Sequence, residues 1–227
     1  MRPSSFNFLP LALPFIVAFV FLAGLVIALI EIGILQYAYE KIGIHPRYVF
    51  TLLLLSLVGS YINIPVADLP AERVLSNQVI SFFGMQYVIP LVQEWPRTVI
   101  AVNLGGAVIP TVLSLYLVGK NGLYGRSLLA VAIVAAVVHW MAYPVKGVGI
   151  AVPTFIPPVV AAGVALALTR SSAPALAYVA GSLGTLIGAD LLNLGKLQGL
   201  GAPIASIGGA GTFDGIFLTG ILAVLLA

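Results

Sequence analysis

The stretch FLPLALPFIVAFVFLAGLVIALIEIGILQYAY, residues 8–39, decides the fold class. It holds one charged side chain, Glu31. A helix needs ~20 mostly apolar residues to cross the hydrocarbon core of a bilayer, and this run is long enough to cross at a tilt. Pro10 and Pro14 fall in its first turns. The flank carries a single basic residue, Arg2, and the run far exceeds the ~7–15 apolar residues of a secretory signal. A signal anchor retained as the first span is the expectation.

The rest of the chain has the same character. Hydrophobic residues make up 61% of the 227 and charged residues 7%, against ~25% charged in soluble domains. Mean hydropathy is +1.14. Ten Lys and Arg with seven Asp and Glu cannot coat a water-facing surface. This excludes an ordinary soluble enzyme, a disordered chain and a nucleic-acid binder. The net charge of +3 rests on too few groups to imply a polyanionic partner. With no cysteine, disulfides and thiolate chemistry are excluded. The partner implied is the lipid bilayer.

The expected fold is an all-α polytopic membrane protein, a single transmembrane domain over 1–227 with about seven helices. The expected spans are 8–39, 47–66, 98–118, 127–145, 149–168, 174–194 and 206–227. Several carry glycine and proline that break or kink helices: Asn103-Leu-Gly-Gly-Ala-Val-Ile-Pro110, Pro144 to Pro153, and Pro157-Pro158. Broken helices expose backbone groups that can line a ligand cavity, and Asn103 stands at one such break. Lys146 stands at another, where it could counter an acid. Residues 68–97 form an insertion with Asp68, Glu72, Arg73, Glu94 and Arg97. Its apolar part, 79–92, is too short to cross. It is expected to be an interfacial helix, a re-entrant hairpin or a packed surface loop, with Tyr87 and Trp95 suited to headgroup depth.

With seven spans the basic residues divide evenly. Lys41, Arg47, Lys120, Arg126 and Arg170 fall on one side, and Arg2, Arg73, Arg97, Lys146 and Lys196 on the other. Five against five sets no orientation. A short echo links Asn103-Leu-Gly-Gly-Ala107 to Ile207-Gly-Gly-Ala-Gly211. Repeats are common in transporters, but five residues do not establish one.

Three acids fall inside expected spans: Glu31, Asp190 and Asp214. An aspartate at the centre of a spanning helix costs about 2.5–3.5 kcal/mol on insertion scales, so it should face a cavity, a donor or a proton. Glu31 lies late in a long span and can snorkel to an interface. Asp190 ends the sixth span and Asp214 opens the seventh, so an antiparallel hairpin sets them at similar depth. Both spans are rich in glycine, which permits close approach. Two carboxyls in hydrogen-bond range share a proton, one serving as base towards water and the other as acid towards a carbonyl. The same pair could bind and release H⁺ or Na⁺, or Asp190 could simply bond to Asn193 or to a backbone group of the seventh span. In the catalytic reading Asn193, three residues on, orients Asp190, while Gly209 and Gly211 let a substrate strand approach. His139 suits an interface beside Trp140 and Tyr143. No metal-binding spacing is present, and neither metal nor cofactor is expected.

The string Gly-Ala-Gly-Thr-Phe-Asp-Gly-Ile-Phe, 209–217, resembles the Gly-x-Gly-Asp-Phe region of intramembrane aspartyl proteases of the presenilin and prepilin-peptidase type. In that pattern an earlier aspartate lies on the preceding span, where Asp190 stands. The departures are Thr212 and Phe213 between Gly211 and Asp214, Ala189 where tyrosine would precede Asp190, and a Pro-Ala-Leu string, 174–176, ahead of both acids instead of after them. Over most of its length the chain is similar to an uncharacterised family of bacterial and archaeal multi-pass membrane proteins. That similarity rests on Asn-Leu-Gly-Gly-Ala (103–107), Gly-Ala-Asp-Leu-Leu-Asn-Leu (188–194) and the 207–217 string. It implies a prokaryotic inner or plasma membrane and no established activity. The expected function is an intramembrane hydrolase, aspartyl-protease-like, acting on a membrane-embedded peptide or small molecule through Asp190 and Asp214. The alternatives are a small ion-coupled secondary transporter and a non-catalytic membrane subunit.

Overall fold

The computed structural model describes residues 13–69, 73–82, 85–94, 98–145, 149–197, 204–209 and 215–227. The chain is mostly helical. Its α-helices are α1 (Leu13–Lys41), α2 (Pro46–Gly59), α3 (Ile109–Asn121), α4 (Tyr124–Met141), α5 (Ile156–Leu168), α6 (Ala173–Thr185) and α7 (Gly215–Leu226). A π-helical turn, Leu104–Val108, leads into α3. A second, Leu186–Asp190, extends α6 and passes into a 3-10 turn, Leu191–Lys196.

An all-α fold is corrected by seven strands among the described residues: β1 (Asn63–Leu69), β2 (Arg73–Phe82), β3 (Met85–Glu94), β4 (Thr98–Asn103), β5 (Tyr143–Val145), β6 (Gly149–Ala151) and β7 (Ile204–Ile207). Most of them occupy parts of the expected spans. Thr98, Val99, Ile100 and Val102 make β4 β-branched at four of six positions, which favours extended backbone over helix. Gly105-Gly106 and Gly208-Gly209 follow β4 and β7 and end each strand. The insertion at 68–97 is a β-hairpin and not an interfacial helix: β2 and β3 pair antiparallel from Arg73 opposite Glu94 to Phe82 opposite Met85.

Among the described residues, two helical stretches pass as long and apolar enough to cross a membrane, α4 and the continuous run Ala173–Lys196. A third arises if Glu31–Lys41 and Pro46–Gly59, bent by 117°, count as one broken span. Apart from α1, with 29 residues, the other α-helices are short. Thirteen residues in α3 and α5 rise only ~20 Å, against ~30 Å of hydrocarbon.

The chain divides into two compact units, residues 1–37 and residues 38–227. In the first unit α1 is a continuous helix on which Glu31 is exposed. The second unit is built around α6, where Leu176, Ala177, Val179 and Ala180 are inaccessible to solvent. Glycines set the approach of its neighbours. A Cβ on Gly184 would meet Val134 of α4 at 2.6 Å, and one on Gly188 would meet the Ala135 carbonyl at 2.5 Å. A Cβ on Gly181 would lie 3.2 Å from the Thr219 carbonyl of α7. These contacts run α4 in the same sense as α6 and α7 in the opposite sense. The starts of α4 and α6 and the end of α7 therefore share one end of the bundle. Lys41 Nζ donates to the Val224 carbonyl at 3.1 Å, and Lys120 Nζ donates to the Gly43 carbonyl. The end of α3 and the start of α2 lie there too.

Candidate functional site

At the other end, β1, β4 and β7 form a three-stranded sheet in that order. β1 runs antiparallel to β4, from Asn63 opposite Asn103 to Leu69 opposite Thr98. β7 runs parallel to β4, with Val102 opposite Ile207. The two parallel strands reach their Gly-Gly turns side by side. A Cβ on Gly106 would fall 1.8 Å from the Gly208 carbonyl, so only hydrogen fits there. Gly208 has φ +92°, in the left-handed region that favours glycine.

Asn103 ends β4 and is 1% exposed. Its Oδ1 accepts the Gly106 N–H at 2.8 Å, capping the π turn. Its Nδ2 donates to the Ser60 carbonyl at 2.7 Å and to Asn63 Oδ1 at 3.1 Å. Ser206 of β7 donates to the same Asn63 Oδ1 at 2.6 Å, and its hydroxyl also lies against the Gly209 carbonyl. The sequence echo thus becomes spatial. With the Gly-Gly pairs aligned, Ser206, just ahead of the second string, matches Asn103; the two meet on one acceptor, and each bonds to the backbone three residues on.

Asp190 enters this cluster from α6. It is half-buried at the end of the second π turn, and its Oδ2 accepts the Gly208 N–H at 2.7 Å. The acid and the strand turn are thereby joined. Asn193 is fully buried. Its Nδ2 donates to the Gly188 and Ala189 carbonyls at 2.8 and 3.0 Å, holding the backbone that leads into Asp190, while its buried Oδ1 has no hydrogen-bond partner. Gly209 follows directly on Gly208, with its N–H on the Ser206 carbonyl at 3.2 Å. Asp214, Gly211 and Lys146 lie outside the described residues.

His139 ends α4 with its Nδ1 buried and unpartnered. Among the described residues, no three His, Asp or Glu side chains gather as a metal site. Sequence reasoning missed Asn63, Ser60 and Ser206. The signal available for Ser206 was its alignment with Asn103 in the echo. Asn63 offered only an isolated amide in Tyr-Ile-Asn-Ile-Pro.

Comparison with known proteins gives one family. A family model described as "Protein of unknown function (DUF1614)" matches residues 57–226, which takes in the sheet, its turns and every helix from α3 onward. No curated protein and no solved structure matches the chain.

Proposed function

The chain belongs to the DUF1614 family, and from that premise we propose that it is a polytopic membrane protein that hydrolyses extended membrane-embedded peptides with the acid pair Asp190 and Asp214. The observation that carries this reading is the 2.7 Å bond from Gly208 N–H to Asp190 Oδ2. It sets a carboxylate at the exit of β7, which has β4 on one side and no strand on the other among the described residues. An extended peptide can add to such an edge through main-chain hydrogen bonds, and its carbonyls then pass Asp190. The same turn leads along the chain to Asp214. One acid activates water, the other protonates the carbonyl oxygen, and the shared proton returns as the amine leaves. In this reading the seven apolar segments cross a prokaryotic plasma membrane, several as half-helices completed by strand. Extended backbone is tolerated at such depth when it is covered by protein, as β4 is.

The test is cleavage of a candidate membrane substrate by the purified protein and by Asp190→Asn and Asp214→Asn. Each substitution is expected to lower turnover by at least a hundredfold while the protein stays folded. Unchanged cleavage in either variant removes the reading.

A second reading, an ion-coupled carrier, is favoured by the paired strand–Gly-Gly–helix units, β4 to α3 and β7 to α7. Repeats with helices broken beside a polar cluster are a transporter device. Proteoliposome flux that disappears in Asp190→Asn, with no hydrolysis in the wild type, selects it. If neither activity is found, the Asp190 bond to Gly208 belongs to a structural membrane subunit.

A further inference from the structure

A groove of about 800 Å³ opens between α2 and α3. Its wall is apolar along most of its length, with Leu52, Leu55, Val108, Val112 and Leu113, and it closes at Gly43, His45, Tyr48 and Lys120. We propose that it binds an anionic phospholipid, with an acyl chain along the apolar wall and the phosphate between Lys120 and Arg47.

Charge complementarity argues for this occupant. The cations stand at one end only, where the bundle's helix termini gather: Lys120 lines the groove, and Arg47 stacks on the lining Tyr48 from outside it. Lys120 Nζ donates to Gly43 O and lies 5.6 Å from the centre of the Tyr116 ring, which leaves N–H groups for a further acceptor. The Arg47 guanidinium lies over Tyr48, 4.6 Å from the ring centre, and gives one N–H to its hydroxyl at 2.7 Å. The remaining N–H groups of its fork suit a phosphate. Glu40 is the acid nearest along the chain. The apolar wall is matched to a lipid tail, since Leu55 and Val112 are 52% and 61% exposed. Side chains so placed on a membrane protein meet hydrocarbon, and the groove volume falls in the ordinary range for a bound small molecule. The tyrosines at the mouth fit headgroup depth. This inference does not depend on the acid-pair reading.

The test is native mass spectrometry of the protein released from nanodiscs holding equal phosphatidylglycerol and phosphatidylcholine. The wild type is expected to retain phosphatidylglycerol preferentially. Lys120→Gln and Arg47→Gln should each cut that preference about fivefold, and Val112→Trp, which fills the groove, should lower retention of both lipids. Arg126→Gln, a cation at the same end but outside the groove, should change nothing. Equal retention by the wild type overturns the site, as does a loss in Arg126→Gln equal to that in Lys120→Gln. Disulfide formation between two copies of Val112→Cys, in a chain with no native cysteine, overturns it in favour of a dimer contact.

Discussion

At the scale of the residue, Asn103 bears the most weight. Its side chain makes three hydrogen bonds to three segments, the end of α2, β1 and the π turn, in a setting closed to water. Asn103→Ala leaves the Gly106 N–H and the Ser60 carbonyl buried without their partner. The expected loss is about 2–4 kcal/mol, since each orphaned buried group costs about 1–3 kcal/mol, read as a lower midpoint of thermal unfolding in detergent. Asp190 separates shape from chemistry. In Asp190→Asn the remaining oxygen can still accept the Gly208 N–H, so stability should stay within about 1 kcal/mol of wild type. Asp190→Ala forfeits the bond and should cost about 1–3 kcal/mol. Activity lost in both variants with stability lost only in the second marks the carboxylate as chemical. The two glycines Gly106 and Gly119 give a matched pair. A methyl at Gly106 collides with the Gly208 carbonyl, whereas one at Gly119 meets nothing within 4 Å. Gly106→Ala should therefore unfold the turn, and Gly119→Ala should leave α3 unharmed or raise its stability by about 0.5–1 kcal/mol.

At the scale of the element, the contact of α4 with α6 and its π extension is set by bare backbone. Gly188→Ala sets a methyl 2.5 Å from the Ala135 carbonyl, and α4 must move off. Overpacking of this kind costs about 1–3 kcal/mol. Gly163→Ala on α5, where a Cβ meets nothing within 4 Å, should cost nothing measurable by the same thermal assay. The sequence marked these elements only in part. Hydropathy finds apolar segments, and it placed the helical half of nearly every one. It does not distinguish a helix from a strand when both are buried, because both then read as continuous apolar runs. The segment 98–118 is the clearest case: one uninterrupted apolar run contains β4, a π turn and most of α3. The β-branched residues and the Gly-Gly pair held the missing information, and hydropathy gives them no separate weight. The strands at 73–82 and 85–94 show the same ambiguity, in an apolar stretch read as an interfacial helix, a re-entrant hairpin or a packed surface loop. The candidate site was legible where it depended on charge, as Asp190 did. Asn63 and Ser206 were not, because a neutral amide or hydroxyl gains meaning only from the strand register that aligns it.

At the scale of the whole molecule, the arrangement gives an orientation that counting did not. Lys41, Arg47, Lys120, Arg126 and Arg170 gather where the starts of α2, α4 and α6 meet the ends of α3 and α7. The connections there are short: Ile42–His45, Gly122–Leu123 and Thr169–Ser172. Of the opposing basic residues, Arg2, Arg73 and Arg97 stand more than ten residues from the nearest α-helix, while Lys146 and Lys196 lie close to a helix end. The tendency of basic residues to stay on the cytoplasmic side is carried by short loops close to the spans, and long segments translocate largely regardless of charge. Acids contribute little to that tendency, so Glu40 does not offset the five cations. Weighted by distance from the helix ends, five against two becomes a bias, and the helix-terminus end should face the cytoplasm with the sheet and Asp190 towards the opposite side. The absence of native cysteine makes the test direct, because any thiol introduced is the only one present. Ser171→Cys lies in the connection between α5 and α6, and Tyr61→Cys lies beyond α2, where the native side chain is 75% exposed. A membrane-impermeant maleimide should label Tyr61→Cys in intact cells and Ser171→Cys only in inverted vesicles. The reverse pattern would turn the molecule over, move the proposed hydrolytic end into the cytoplasmic half, and require its peptide to arrive from that side.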